Sequence, residues 1–158
     1  FLGEKRVSLN EEVELLRNVP LFANLEPSKL KLLAFTSERL TFRQDQDLCT
    51  EGEMGDAAFI IIQGECDVLI STPGGSMTSV AKAKKHDFVG EIAILCDVPR
   101  TATVRALSDV IVLRISKELF FRLVREFPEM AVQIMRELAA RMERTNSQLA
   151  RALGRASN

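Results

Sequence analysis

The residue types that could do chemistry are concentrated in one short segment, residues 88–103. Gly90 is followed by the carboxylate of Glu91 and a short apolar turn, and Arg100 comes shortly afterwards. A glycine lets the backbone approach a phosphate closely, and the first turn of a helix offers free N–H groups to an anion. A guanidinium can bind two phosphate oxygens at once, and a carboxylate accepts a hydrogen bond from a sugar hydroxyl. The segment therefore predicts a nucleotide pocket.

The same segment resembles the phosphate-binding cassette of the cyclic nucleotide-binding domain family, through residues 88–95 (FVGEIAIL) and 99–103 (PRTAT). Two further motifs are similar to that family and occur in its order along the chain. They are the VPLF sequence of residues 19–22, before a helix, and the turn-then-strand sequence of residues 51–64. The whole resemblance extends over about residues 13–150. The resemblance implies a regulatory domain that binds a cyclic nucleotide.

The resemblance also implies roles for individual residues. Glu91 would bind the ribose 2′-hydroxyl, Arg100 would neutralise the cyclic phosphodiester, and the hydroxyl of Thr101 would add a bond to the phosphate or the base. His86 stands where the family commonly has glycine, and we expect it to be a turn residue. Within the β region, the predicted ligand-binding residues are Val80, Val89, Gly90, Glu91, Ile92, Ala93, Arg100, Thr101 and Ala102.

The last predicted helix contributes a second set of candidate ligand contacts, Arg141, Thr145 and Asn146. Residues 140–146 are similar to the dimer helix of the catabolite activator group, in which the residue matching Thr145 reaches the adenine of cyclic AMP. The side chains of Thr145 and Asn146 can both bond to the exocyclic amine of adenine. These residues favour cyclic AMP, whereas Thr101 would also suit the amino group of guanine. Cyclic GMP therefore stays open as the preferred ligand.

An apolar row also runs along this helix at spacings of three and four residues. Such a heptad row is typical of a helix that pairs with a partner helix, but an amphipathic helix can equally pack on its own domain. The sequence leaves open a homodimer and an intramolecular contact. The row consists of Met135, Leu138, Met142, Thr145, Leu149 and Ala152.

The elements that must position these groups are mainly β-strands with helices at both ends. We expect helices over residues 11–19 and from Pro27 onward, and then short runs rich in valine, isoleucine and threonine. The apolar run 57–63 is of strand length and is expected to be buried on both faces. Many short strands with glycine turns indicate a β-roll or jelly-roll barrel, which the family resemblance also implies. The predicted strands are residues 57–63, 66–71, 77–83, 103–106 and 110–115.

Two helices are predicted after the strands. Ser116 is a suitable N-cap for a helix over residues 117–126, and Pro128 fits the first turn of a final helix that reaches residue 153. The domain prediction is an N-terminal extension, residues 1–10, followed by a single cyclic nucleotide-binding domain, residues 11–158. Within that domain the β-roll spans residues 38–115, the cassette residues 88–103, and the C-terminal helices residues 116–154.

Composition limits the remaining function classes. The 158 residues are 46% hydrophobic and 27% charged with a net charge of −1, which is typical of a globular domain without a general attraction to nucleic acid or membranes. Three cysteines without a CxxC pair indicate reduced cytosolic thiols that serve in packing. They favour a cytoplasmic location. No apolar run is long enough to span a bilayer.

An enzyme is disfavoured by the same inventory. His86 is the only histidine, so a cupin-like metal centre of histidines and carboxylates cannot be built. A phosphodiesterase needs metal ions or a general base in the pocket, and the sequence motifs place a single carboxylate there, that of Glu91. We therefore expect a sensor without catalysis, metal or cofactor, which binds a small cyclic nucleotide and acts on an unidentified downstream protein. The alternatives are the sensory half of a transcription regulator without its DNA-binding domain, a cyclic GMP-preferring module, and a scaffold that has lost its ligand.

Overall fold

The structure, a computed structural model, describes residues 9–156, so most of the predicted N-terminal extension lies outside the described residues. Helix α1 spans Leu9–Arg17, a 3-10 turn spans Pro20–Phe22, and α2 spans Pro27–Thr36. The first helix ends earlier than predicted because Val19 precedes a proline and is extended, with φ −80° and ψ 122°. Pro27 opens α2 as expected, since its fixed φ suits a first helical turn.

Eight strands in residues 9–156 form two four-stranded antiparallel sheets. The order is β1-β8-β3-β6 in the first sheet and β2-β7-β4-β5 in the second. This arrangement confirms the predicted mainly β roll with flanking helices. The strands are β1 Glu38–Phe42, β2 Asp47–Cys49, β3 Ala57–Gln63, β4 Cys66–Ser71, β5 Met77–Ala83, β6 Phe88–Val89, β7 Thr103–Ala106 and β8 Val110–Ser116.

Strand β3 lies at the centre of the molecule and is buried on both faces, as its unbroken apolar run predicted. Phe59 and Ile61 point into the core between the two sheets. Ile60 and Ile62 point the other way, into a second core that the first sheet shares with the helices. Because successive side chains of a strand alternate between its faces, every residue of this strand except the last must be apolar.

The pairing of β4 with β5 contains a β-bulge. Val68 pairs with Ala81 and Leu69 with Ser79, so Val80 is the extra residue of β5. Along β4, Cys66 and Leu69 are buried, whereas Val68 and Ile70 are half-buried. A bulge interrupts the period of two and changes which side chains face the core.

Two helices follow β8. Helix α4 spans Lys117–Glu126, and the Ser116 hydroxyl accepts a bond of 3.1 Å from the Leu119 N–H, which confirms the predicted cap. Helix α5 spans Pro128–Ala156. Its first turns pack on the helical core, whereas every side chain of residues 141–155 is exposed. No helix of the described part of the chain is both long and apolar enough to cross a membrane.

Candidate ligand-binding site

A cavity of about 580 Å³ opens between the segment 88–102, the second sheet and α5. Its walls bring together groups that are far apart in the sequence. Val68 of β4 and Ala81 of β5 line one side, and Leu138 and Arg141 of α5 line another. The short helix α3, Glu91–Cys96, contributes its first turn to the same cavity. The volume exceeds the about 300 Å³ at which ligand-binding clefts begin.

Gly90 forms the N-cap of α3 in the left-handed conformation, with φ +83°. A Cβ atom at this position would lie only 2.5 Å from Nη1 of Arg100. The position therefore requires glycine for two reasons, its backbone conformation and the close approach of the guanidinium. This geometry explains why the predicted cassette contains a glycine directly before Glu91.

Arg100 is buried in the wall of the cavity and is only 7% exposed. Its Nη1 donates to the carbonyl of Gly90 at 3.0 Å, and its Nη2 donates to the carbonyl of Ala57 at 2.7 Å. The guanidinium carbon also lies 5.8 Å from the centre of the Phe59 ring. Within residues 9–156 no carboxylate forms an ion pair with Arg100. A buried cation whose partners are neutral favours an anion in the adjacent cavity.

Glu91, the first residue of α3, is likewise buried and only 7% exposed. Its carboxylate forms a short ion pair with the guanidinium of Arg141 on α5. The structure therefore joins two predicted ligand-binding residues to each other. The pair places an acceptor of sugar hydroxyls beside the buried cation of Arg100, which is the arrangement that a phosphorylated sugar requires.

Most of the other predicted site residues also line the cavity. They are Val89, Ile92, Ala93, Thr101 and Ala102.

Three predicted residues do not line the cavity. Val80 is 52% exposed, because the bulge in β5 turns Ala81 toward the cavity in its place. Thr145 and Asn146 are exposed on α5, beyond Arg144, the last residue of that helix to line the cavity. A straight helix advances about 5.4 Å per turn and so leaves the edge of a compact cavity quickly. The ligand contacts of these three residues therefore stay predictions.

Sequence reasoning missed several lining residues. His86 was expected only as a turn residue, and its φ of +78° confirms the turn, but the residue also lines the cavity. Glu137 and Arg144 lie four residues before and three after Arg141, so the helical period could have identified them. The missed residues include Cys49, Val68, His86, Glu137 and Arg144.

The three thiols have different environments. Cys66 is buried, and its burial raises the pKa of the thiol to about 11. Cys49 is half-buried in the cavity wall; burial raises its pKa, and the positive charge of Arg100 opposes that rise. Cys96 is exposed, so the expectation that it packs is wrong. No group of three metal-ligating side chains occurs in the described residues.

Comparison with known proteins gives an independent view of this site. A family model described as "Cyclic nucleotide-binding domain" matches residues 39–127, which include most of the strands and all of the cassette. The match therefore covers the strands and the cassette that line the cavity, and it ends before α5, which lines the remaining side.

Two curated relatives and one solved structure illustrate the similarity. A CRP-like cAMP-activated global transcriptional regulator of Mycobacterium tuberculosis is 28% identical over 137 residues, which are 87% of this chain and 61% of the relative. A cAMP-dependent protein kinase regulatory subunit of Yarrowia lipolytica is 35% identical over 109 residues, 69% of this chain and 28% of the relative. The catabolite activator protein of Thermus thermophilus superposes with a TM-score of 0.77 at 25% identity, over 82% of this chain and 61% of that chain. The chain thus spans under two thirds of these longer proteins.

Proposed function

The chain belongs to the cyclic nucleotide-binding domain family, and we propose that its cavity binds cyclic AMP as the signal of a regulatory protein. The observation that carries the proposal is the buried guanidinium of Arg100, which lines the cavity and has no carboxylate partner among residues 9–156. A cyclic phosphodiester has one negative charge, which matches one such cation. Charge-assisted hydrogen bonds between them would be stronger than the neutral bonds that Arg100 makes to carbonyls.

The ribose would lie against Glu91. Its 2′-hydroxyl would donate to the buried carboxylate, either in competition with Arg141 or beside it. The backbone amides at the start of α3 and the hydroxyl of Thr101 would complete the polar surface, and the aliphatic residues of the second sheet would contact the base. The contact residues proposed for this state are Val89, Gly90, Glu91, Ile92, Ala93, Arg100, Thr101, Ala102 and Arg141.

Cyclic AMP is preferred over cyclic GMP in this proposal because both curated relatives described above are named for cyclic AMP. Thr145 and Asn146 support the adenine only if α5 moves toward the cavity or if a second copy of the helix supplies them. Thr101 lines the cavity and would serve either purine. A cyclic GMP preference that disappears in Thr101→Ala would reverse this assignment.

Calorimetric titration tests the proposal with four probes: cyclic AMP, cyclic GMP, 2′-deoxy cyclic AMP and linear AMP. We expect cyclic AMP to bind most tightly, the deoxy analogue to bind more weakly because it cannot donate to Glu91, and linear AMP to bind worst. Chromatography of the mixtures should show unchanged cyclic AMP, since the domain is proposed to sense its ligand and not to hydrolyse it. Absence of heat with both cyclic nucleotides, or accumulation of AMP, would contradict the proposal.

The signal would leave the domain through the C-terminal helices. Phe88 of β6, which directly precedes the cassette, stacks on Phe120 of α4 with the ring centres 6.1 Å apart. Helix α4 in turn packs against the start of α5. A ligand that moves the cassette would therefore repack α4 and let α5 change its position, as a shift between two populated states. A twin α5 and a downstream protein are the proposed partners.

A further inference from the structure

We propose that Gly55 is a positioning residue for Arg100, because the missing side chain of this glycine leaves the space that the guanidinium occupies. The inference rests on the proposed function, in which Arg100 binds the phosphate. Gly55 lies in the turn before β3 and is half-exposed. It does not line the cavity. Its effect on a ligand must therefore pass through a neighbour that lines the cavity, which is Arg100 or Ala93.

The distances identify the contact. A Cβ atom on Gly55 would lie 2.9 Å from both Cζ and Nε of Arg100, and 2.7 Å from Cβ of Ala93 in the first turn of α3. Real Cβ atoms do not approach other heavy atoms this closely. Gly55 is also outside the left-handed region, unlike Gly52 and Gly75. Its backbone would accept alanine, so space alone accounts for the glycine.

Arg100 cannot move away from Gly55 without disturbing its other contacts. Its guanidinium is fixed on the far side by the bonds to the carbonyls of Gly90 and Ala57, and a Cβ on Gly90 would touch Nη1 as well. The guanidinium thus lies between two glycines. Any displacement away from Gly55 lengthens hydrogen bonds that orient its donors toward the cavity.

The turn that contains Gly55 cannot retreat easily either. The N–H of Arg100 donates to the carbonyl of Glu53 at 2.7 Å, and the N–H of Gly52 donates to the carbonyl of Arg100 at 2.9 Å. Met54 forms a β-bridge with Pro99. These contacts hold the turn and the arginine backbone together, so an added methyl group would have to displace the side chain.

Gly55→Ala tests the inference, with Gly74→Ala as the matched control. Gly74 also lies outside the left-handed region, and a Cβ there would meet nothing within 4 Å. We expect Gly55→Ala to weaken cyclic AMP binding by about tenfold or more, since small displacements of a binding group are enough to disable a site. The Nε–H resonance of Arg100, assigned by its loss in Arg100→Ala, should shift in Gly55→Ala and stay in place in Gly74→Ala.

The two readouts separate the inference from the proposed function. If the wild type binds no cyclic nucleotide, the proposed function fails, and the Nε–H shift still decides whether Gly55 positions Arg100. Wild-type affinity or an unshifted resonance in a folded Gly55→Ala chain would overturn the inference. If Gly55→Ala does not fold, the double variant Gly55→Ala/Arg100→Ala decides. The reference for the double variant is Arg100→Ala alone, which loses the same hydrogen bonds. Equal stability of these two variants would support the contact with Arg100, and a lower stability of the double variant would assign the clash to Ala93 and overturn the inference.

Discussion

The carboxylate of Glu91 and the guanidinium of Arg141 form an ion pair that joins α3 to α5 beside the cavity. The two members are unequally exposed: the side chain of Glu91 is 9% exposed and that of Arg141 44%. The arginine can return to water if the pair breaks, whereas the carboxylate cannot. A ligand hydroxyl that approaches Glu91 would therefore act on the contact that holds the outer part of α5.

The unequal exposure of the two side chains predicts that Arg141→Ala and Glu91→Gln change the stability of the protein by different amounts. Arg141→Ala should lower the free energy of unfolding by about 1–3 kcal/mol, because it leaves a buried carboxylate without a partner. Glu91→Gln should lower it by less, about 0–1 kcal/mol, because Arg141 then becomes an ordinary solvated residue. Urea unfolding of both variants and of the double variant provides the measurement. Equal effects of the two single changes would contradict this account.

Arg100 should contribute to folding as well as to binding. Arg100→Ala removes the donors for the carbonyls of Ala57 and Gly90, so we expect it to lower the free energy of unfolding by about 1–3 kcal/mol. The same change should weaken cyclic AMP binding by more than about tenfold, since truncation of a buried charged pair typically costs about 2–5 kcal/mol. Urea unfolding and calorimetry separate the two effects. The comparison variant is Arg100→Lys, which keeps the charge but not the planar fork.

The exposed row on α5 should form a homodimer contact. Met135, Met142 and Leu149 are 60%, 66% and 57% exposed, which leaves a heptad row without a partner in the described chain. We expect Leu149→Glu to give monomers in analytical ultracentrifugation, with and without cyclic AMP, because it places like charges opposite each other at a two-fold contact. Ser147→Glu, an exposed change on the opposite face of the helix, should leave the dimer intact.

A wild-type protein that stays monomeric at high concentration in both ligand states would rule out this dimer. Leu138→Glu is a poor test of the same row, because Leu138 packs against the helical core and the change would also destabilise the domain.

The buried thiol of Cys66 should make folding sensitive to alkaline pH. Its pKa is about 11 in the folded protein against 9.0 for an unperturbed thiol, so the folded chain retains a proton that the unfolded chain loses. The corresponding stabilisation is complete below pH 9 and is lost as the pH rises through 11. Urea unfolding at pH 8, 9.5 and 11 should show a steeper loss of stability in the wild type than in Cys66→Val. Parallel curves would contradict the assignment.

Local signals in the sequence determined much of the fold. Ser116 and Pro27 mark helix starts through their own side chains, and the apolar run of β3 indicates burial on both faces without knowledge of its neighbours. The cassette could be identified for the same reason, because Gly90, Glu91 and Arg100 lie within one short segment. The strands β2 and β6 were not delimited, since three and two residues are too few to show a period of two, and β1 was not delimited either.

Tertiary structure alone decided the rest of the site. The bulge that replaces Val80 by Ala81 depends on pairing with β4 and has no local signature. Helix α5 reaches the cavity with Arg141 and Arg144 but not with Thr145, because its direction is set by packing against the core. The ion pair of Glu91 with Arg141 and the hydrogen bond of Arg100 to Ala57 both join segments that are distant in the sequence. The packing of the Arg100 side chain against Gly55 likewise depends on two distant segments. The sequence specifies which groups are available, whereas long-range packing determines which of them touch.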